Sequence, residues 1–147
     1  MAHGSSVPDP SRDLDAIVDQ LVQVLKGHRD LQLGILYGSA VTGTLHADSD
    51  IDLALAVDAR TPVPHDTLLA VSLEAGRLIG REVQVRDLSA ARGVFLKQIL
   101  TSGRVVLQRD PTVRAELIIR MLDFVEDMLP NVRMIRARGR ERLIAGQ

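Results

Sequence analysis

Cysteine is absent from this 147-residue chain, which rules out disulfides and thiolate metal sites. Tryptophan is absent too, and aromatics amount to 2% of the residues. Without interleaved aromatics there is no platform on which unpaired bases would stack. The core must therefore be aliphatic, drawn from an apolar fraction of 46%. Neither charge sign dominates: 18 Lys and Arg stand against 19 Asp and Glu, a formal net charge of −1. Such a chain has no global electrostatic reason to seek nucleic acid or an anionic membrane. No apolar run approaches the roughly 18–20 residues of a transmembrane helix, and residues 1–10 lack the apolar segment of a signal peptide. A cytoplasmic protein is the expectation.

What is present is one domain's worth of alternating helical and strand patterns. Ser11 reads as an N-cap, with a helix to Gly27 whose Leu14, Ile17, Val18, Leu21, Val22 and Leu25 recur at helical spacing. A first strand is expected at 31–37 and a second at 50–57, separated by a turn through Gly38–Gly43 and a polar loop containing His46. A helix ending near Gly80 is expected to bury Leu68, Leu69, Val71, Leu73, Leu78 and Ile79. Residues 81–88 alternate as a third strand, and Ala90–Leu100 reads as a helix. Residues 104–108 form a short fourth strand. Asp110-Pro111 is a cap followed by proline at the first helical position, opening a helix to about Leu129. The expected architecture is α/β (α+β): a small mixed β-sheet flanked by helices, with a long C-terminal helix. Residues 1–10 read as a disordered tail, 11–130 as the domain, and 131–147 as an Arg-rich extension. The last helix carries more apolar residues than one buried stripe requires, so it is either buried on two sides or meets another protein. The arginines 133, 136, 138, 140 and 142 read as a solvated face, with docking to an acidic surface or to phosphates as the alternative.

The chemistry concentrates between residues 36 and 57. The run Leu33-Gly-Ile-Leu-Tyr37 ends in Gly38-Ser39, and ten residues later come Asp50 and Asp52 inside a second apolar run. Two residues apart on a strand, these acids share a face. They repel each other and are costly to bury, so a divalent cation between them is the natural complement. The Gly-Ser turn offers backbone N–H groups and a hydroxyl suited to phosphate. Read blandly, the same residues are an ordinary turn and two loop-end acids. The apolar Ile51, Leu53 and Leu55 on the opposite parity argue against a loop. Gly43 serves backbone shape and Tyr37 packing.

Gly38-Ser39-x10-Asp50-x-Asp52, between two strands and after a helix, resembles the signature of the nucleotidyltransferase superfamily of DNA polymerase beta type. The small size resembles its minimal nucleotidyltransferases (MNT), in particular the MntA-type antitoxins of HEPN–MNT pairs. The stretch from Ile99-Leu100 through Gly103-Arg104-Val105-Val106-Leu107 to Asp110-Pro111 and a long helix is similar as well. The resemblance implies Mg²⁺-dependent transfer of AMP from ATP to a hydroxyl. In the antitoxin branch the acceptor is a tyrosine of the partner HEPN toxin, an RNase, in a hetero-oligomer with it. It implies Asp50 and Asp52 as catalytic metal ligands, and Gly38 and Ser39 as nucleotide-binding residues beside them. A neighbouring reading frame encoding a small helical protein with an Arg-x4-6-His pattern and a nearby Tyr would match that pairing.

The chain departs from the family pattern in two ways. Basic residues that commonly follow the Gly-Ser are replaced by Ala40 and Thr42, and His46, largely neutral at pH 7, is a weak substitute. The third carboxylate usual on strand three is replaced by Gln84, which can orient a ligand but cannot take a proton. Glu82, on the same face and about 7 Å along the strand, is the nearest auxiliary acid. Asp87 has the other parity and is expected to cap the segment after strand three. Two readings of different class result: an adenylyltransferase antitoxin, or an MNT-fold antitoxin that lost its chemistry and neutralises by contact. A third, modification of a small molecule such as an aminoglycoside, ranks behind these, because enzymes of that kind generally add a substrate-binding domain, for which no room is expected here, or pair subunits to build the pocket.

Overall fold

A computed structural model describes residues 10–43, 45 and 49–129. Helix α1 (Pro10–Lys26) leads into strand β1 (Leu33–Tyr37), a single helical turn α2 (Ser39–Thr42) and strand β2 (Ile51–Ala56). Helix α3 (His65–Ile79), strand β3 (Val83–Asp87), helix α4 (Gly93–Ser102), strand β4 (Arg104–Gln108) and helix α5 (Pro111–Met128) come next. The sheet order is β3-β2-β1-β4. β1 lies antiparallel to β2 and β4, whereas β2 and β3 are parallel, joined by the α3 crossover. The expected mixed sheet with a long last helix is what forms. Helix α1 starts at Pro10 and not behind a Ser11 cap, consistent with proline's tolerance in a first helical turn. His46, residues 1–9 and the Arg-rich segment lie outside the described residues.

Side-chain alternation divides the core into two layers. One face of the sheet, with Leu36, Leu53, Leu55, Val83 and Val106, packs on Ile17, Leu21 and Leu25 of α1 and on Val71 and Ala75 of α3. The other, with Leu33, Ile35, Ala54 and Ala56, packs on Leu96 and Ile99 of α4 and on Val113 and Leu117 of α5. Each fully buried Leu contributes roughly 2 kcal/mol of transfer free energy, so these aliphatic layers do the work that aromatics do elsewhere. Arg109, just after β4, holds the connection between α1 and β1 by donating to the carbonyls of His28 and Leu31, both at 2.7 Å.

Two expectations fail, the burial of three α3 leucines and the start of the helix after β3, and of the two alternatives for the last helix, burial on two sides is excluded. Leu69, Leu73 and Leu78 of α3 are 51, 52 and 41% exposed, not buried; only the Val71–Ala75 side of α3 meets the sheet. Helix α5 is not buried on two sides: Ile119 and Leu122 stand 59 and 52% exposed, and Met128 and Leu129 are also exposed. The expected helix 90–100 is split. A 3-10 turn, Leu88–Ala90, precedes α4, and Gly93 opens α4 at φ 62°. Asp87 caps that turn by accepting from the Ser89 N–H at 2.9 Å, as its parity requires.

Candidate functional site

Asp50 and Asp52 flank Ile51, whose side chain is fully buried on the α1–α3 side of the sheet. Strand alternation therefore turns both carboxylates to the opposite face, the one that α4 and α5 cover further along. Ile51 is pinned by its N–H to the Glu82 carbonyl at 2.9 Å. Asp52 stands opposite Tyr37 of β1 and Gln84 of β3. The sheet thus brings the end of the first apolar run and the strand-three residue against the acid pair, in keeping with the spacing.

Gly38 is what lets the chain pass so close. It adopts φ 76° and ψ −147°, a region open essentially to glycine. A Cβ at this position would lie 2.6 Å from Asp52 Oδ2. The carboxylate rests against the bare Cα, and the Gly38 carbonyl then accepts from the N–H groups of Val41 and Thr42, each at 3.1 Å. That single turn begins at Ser39, which is half-buried and directly follows Gly38. Gly43 ends it in the left-handed region at φ 82°.

Partial burial raises the Asp52 pKa above its ordinary 3.8; the Asp50 charge adds to the effect and Arg86 offsets it. The Tyr37 hydroxyl is likewise pushed up by burial and then by Asp52. Gln84 donates its amide to Asp50 Oδ2 at 3.0 Å. It holds the place of a carboxylate with a neutral donor. Glu82 is exposed before β3, and among the described residues no three of His, Cys, Asp and Glu gather at one point.

Arg86 belongs to no motif in the sequence. It lies opposite Ala54, on the face of Gln84, and its positive charge favours the ionised form of the Tyr37 hydroxyl two strands away. Its guanidinium sits 5.7 Å from the centroid of the Phe95 ring, which meets Tyr37 edge-on at 5.7 Å. The signal available was parity with Gln84; the partner could not be known without the strand order.

The donor set suits magnesium. That ion is commonly held by one or two carboxylates together with phosphates of its substrate. Asp50 and Asp52 supply two carboxylates on one face, and their mutual repulsion calls for a cation.

A family model described as polymerase beta, nucleotidyltransferase matches residues 19–112. No curated relative matches the sequence. Among solved structures, a chain of a toxin–antitoxin complex with AMP-PNP superposes with a TM-score of 0.64 at 20% identity, covering 82% of this chain and 96% of that one. An MntA–HepT toxin–antitoxin chain gives 0.60 at 17%, covering 84% and 97%. A tri-AMPylated Shewanella oneidensis HEPN toxin in complex with its MNT antitoxin gives 0.60 at 17%, covering 85% and 97%. At these identities the likeness is one of fold. The family model spans more than half of the sequence, including Gly38, Ser39, Asp50, Asp52 and Gln84, and the chain belongs to the polymerase beta nucleotidyltransferase family.

Proposed function

We propose that this chain is the antitoxin of a toxin–antitoxin pair, that it neutralises a HEPN-type RNase toxin by binding it, and that Gly38, Ser39, Asp50 and Asp52 form an ATP–Mg²⁺ site within it. One observation carries the contact reading. The third carboxylate's place is held by Gln84, whose amide donates to Asp50 and cannot take the acceptor's proton. Ala40 and Thr42 add no charge to meet a triphosphate. The solved chains of like fold come from toxin–antitoxin complexes, which supports a HEPN partner here. The exposed apolar side of α5, with Ile119 and Leu122, supplies a surface of the kind partner helices bury.

A second reading, transfer of AMP to a hydroxyl such as a toxin tyrosine, is favoured by the acid pair itself, packed against Gly38. In it the acceptor hydroxyl loses its proton to solvent, its oxygen bonds to the α-phosphorus, the bond to the bridging oxygen breaks and pyrophosphate leaves. Asp50 and Asp52 would hold magnesium, which when bound neutralises phosphate charge and lowers the pKa of the attacking hydroxyl. Gln84 can only orient that hydroxyl.

Co-expression with the HEPN toxin of a neighbouring frame separates the two. On the contact reading, the Asp50→Asn/Asp52→Asn variant still rescues growth, and Ile119→Lys/Leu122→Lys does not. Loss of rescue by the aspartate variant overturns it in favour of transfer.

A further inference from the structure

We propose that Arg86 is the phosphate-binding cation of the candidate nucleotide site, held in place by Phe95 and Tyr37. The inference rests on the reading of Gly38, Asp50 and Asp52 as that site. Two carboxylates on one face present negative charge to a ligand that is itself a polyanion, and the basic residues expected after Gly38-Ser39 are absent, with Ala40 and Thr42 in their places. Beyond the magnesium that the acids would hold, a triphosphate there gains from positive charge elsewhere on the same face.

The sheet supplies it from β3. Arg86 pairs in register with Ala54, one same-face position beyond the Asp52–Gln84 pairing. Because Ala54 is small, the long Arg86 side chain can pass over β2 to the Phe95 ring, toward Tyr37 on β1. This path sets the guanidinium close enough to Asp52 for its charge to act on that carboxylate. The Phe95 ring supports it at 5.7 Å from the centroid, and Tyr37 braces the ring edge-on. A guanidinium seated on an aromatic face is pre-organised. Among the described residues Arg86 makes no ion pair with a carboxylate, so most of its five N–H donors remain for a ligand. Planar, permanently charged and fork-shaped, it suits phosphate oxygens better than a lysine would. A purely structural arginine would be expected to close onto Asp50 or Asp52 as a paired ion; this one instead spans Tyr37 and Phe95 and leaves its fork beside the acids.

The test is calorimetric titration of Mg²⁺–AMP-PNP, and separately of adenosine, into the wild type, Arg86→Met, Arg86→Lys and Asp50→Asn/Asp52→Asn. Hydrogen bonds to a charged group set the expected size: Arg86→Met weakens AMP-PNP binding roughly tenfold to a hundredfold. Arg86→Lys recovers part of the loss, and adenosine binding does not change. Equal AMP-PNP affinity in Arg86→Met and wild type overturns the role of Arg86 while leaving the nucleotide site intact. If the wild type binds AMP-PNP no better than the aspartate variant, the nucleotide-site reading itself falls, and Arg86 with it. Should Arg86→Met fail to fold, Phe95→Leu removes the support without removing the charge. It is then expected to weaken AMP-PNP alone, and unchanged affinity would overturn the proposal.

Discussion

Replacing Gly38 by alanine should damage stability and the acid pair together, and the two contributions can be separated. The backbone at φ 76° and ψ −147° costs a non-glycine residue about 1–3 kcal/mol. The added Cβ also meets Asp52 Oδ2 at 2.6 Å, well inside van der Waals contact, so the carboxylate must swing away or the turn must open. We expect a total loss of about 3 kcal/mol, which for a domain of this size lowers Tm by roughly 10 °C. Gly43→Ala is the internal control. It also has positive φ, 82°, but among the described residues nothing lies within 4 Å of a Cβ built there, so the loss should be about 1 kcal/mol. In the double variant Gly38→Ala/Asp52→Ala the clash is gone and only backbone strain remains. Its loss should fall below the sum of the two single variants, a coupling of roughly 1 kcal/mol. Urea unfolding monitored by circular dichroism measures all four. Equal losses for Gly38→Ala and Gly43→Ala, or strict additivity in the double variant, would refute the close approach of Gly38 to Asp52.

The same geometry sets three more outcomes. Asp52 has a raised folded-state pKa, so its ionised form opposes folding: stability is greater below that pKa and is lost as pH rises through it. Asp52→Asn should therefore raise Tm at neutral pH, with the gain fading as pH falls toward the carboxylate range in a thermal-unfolding series. Asp87→Ala removes the acceptor for Ser89 N–H and Oγ and for Val63 N–H; it should cost about 2–3 kcal/mol and loosen the connection into α4, read by hydrogen exchange. Ile119→Lys/Leu122→Lys should leave the isolated chain within about 0.5 kcal/mol of wild type while abolishing co-purification with the toxin.

Much of this fold is legible in the sequence because its signals are local. The Asp50-Ile51-Asp52 alternation, the parity of Asp87 and the Asp110-Pro111 helix start each depend on a few neighbouring residues. The acid pair on one face comes from strand geometry alone, and the register sets Gln84 opposite Asp52. What escapes is non-local. Leu69, Leu73 and Leu78 have the same apolar character as Val71, and only the packing of α3 on α1 and the sheet decides which of them meets the core. The pattern of α5 marks an excess of apolar residues without saying that Ile119 and Leu122 stay exposed. Arg86 joins the site through a side chain that crosses β2 above Ala54 to reach Tyr37. That contact depends on a parallel β2–β3 register and an antiparallel β1–β2 register at once.

The most direct measurement is made on the HEPN toxin itself: its intact mass and its RNA cleavage after incubation with this protein, ATP and Mg²⁺, using wild type and Asp50→Asn/Asp52→Asn. Neutralisation by contact predicts an unchanged toxin mass and cleavage silenced in stoichiometric proportion by both forms. A toxin heavier by one or more AMP units with the wild type alone, and silenced only then, would contradict it.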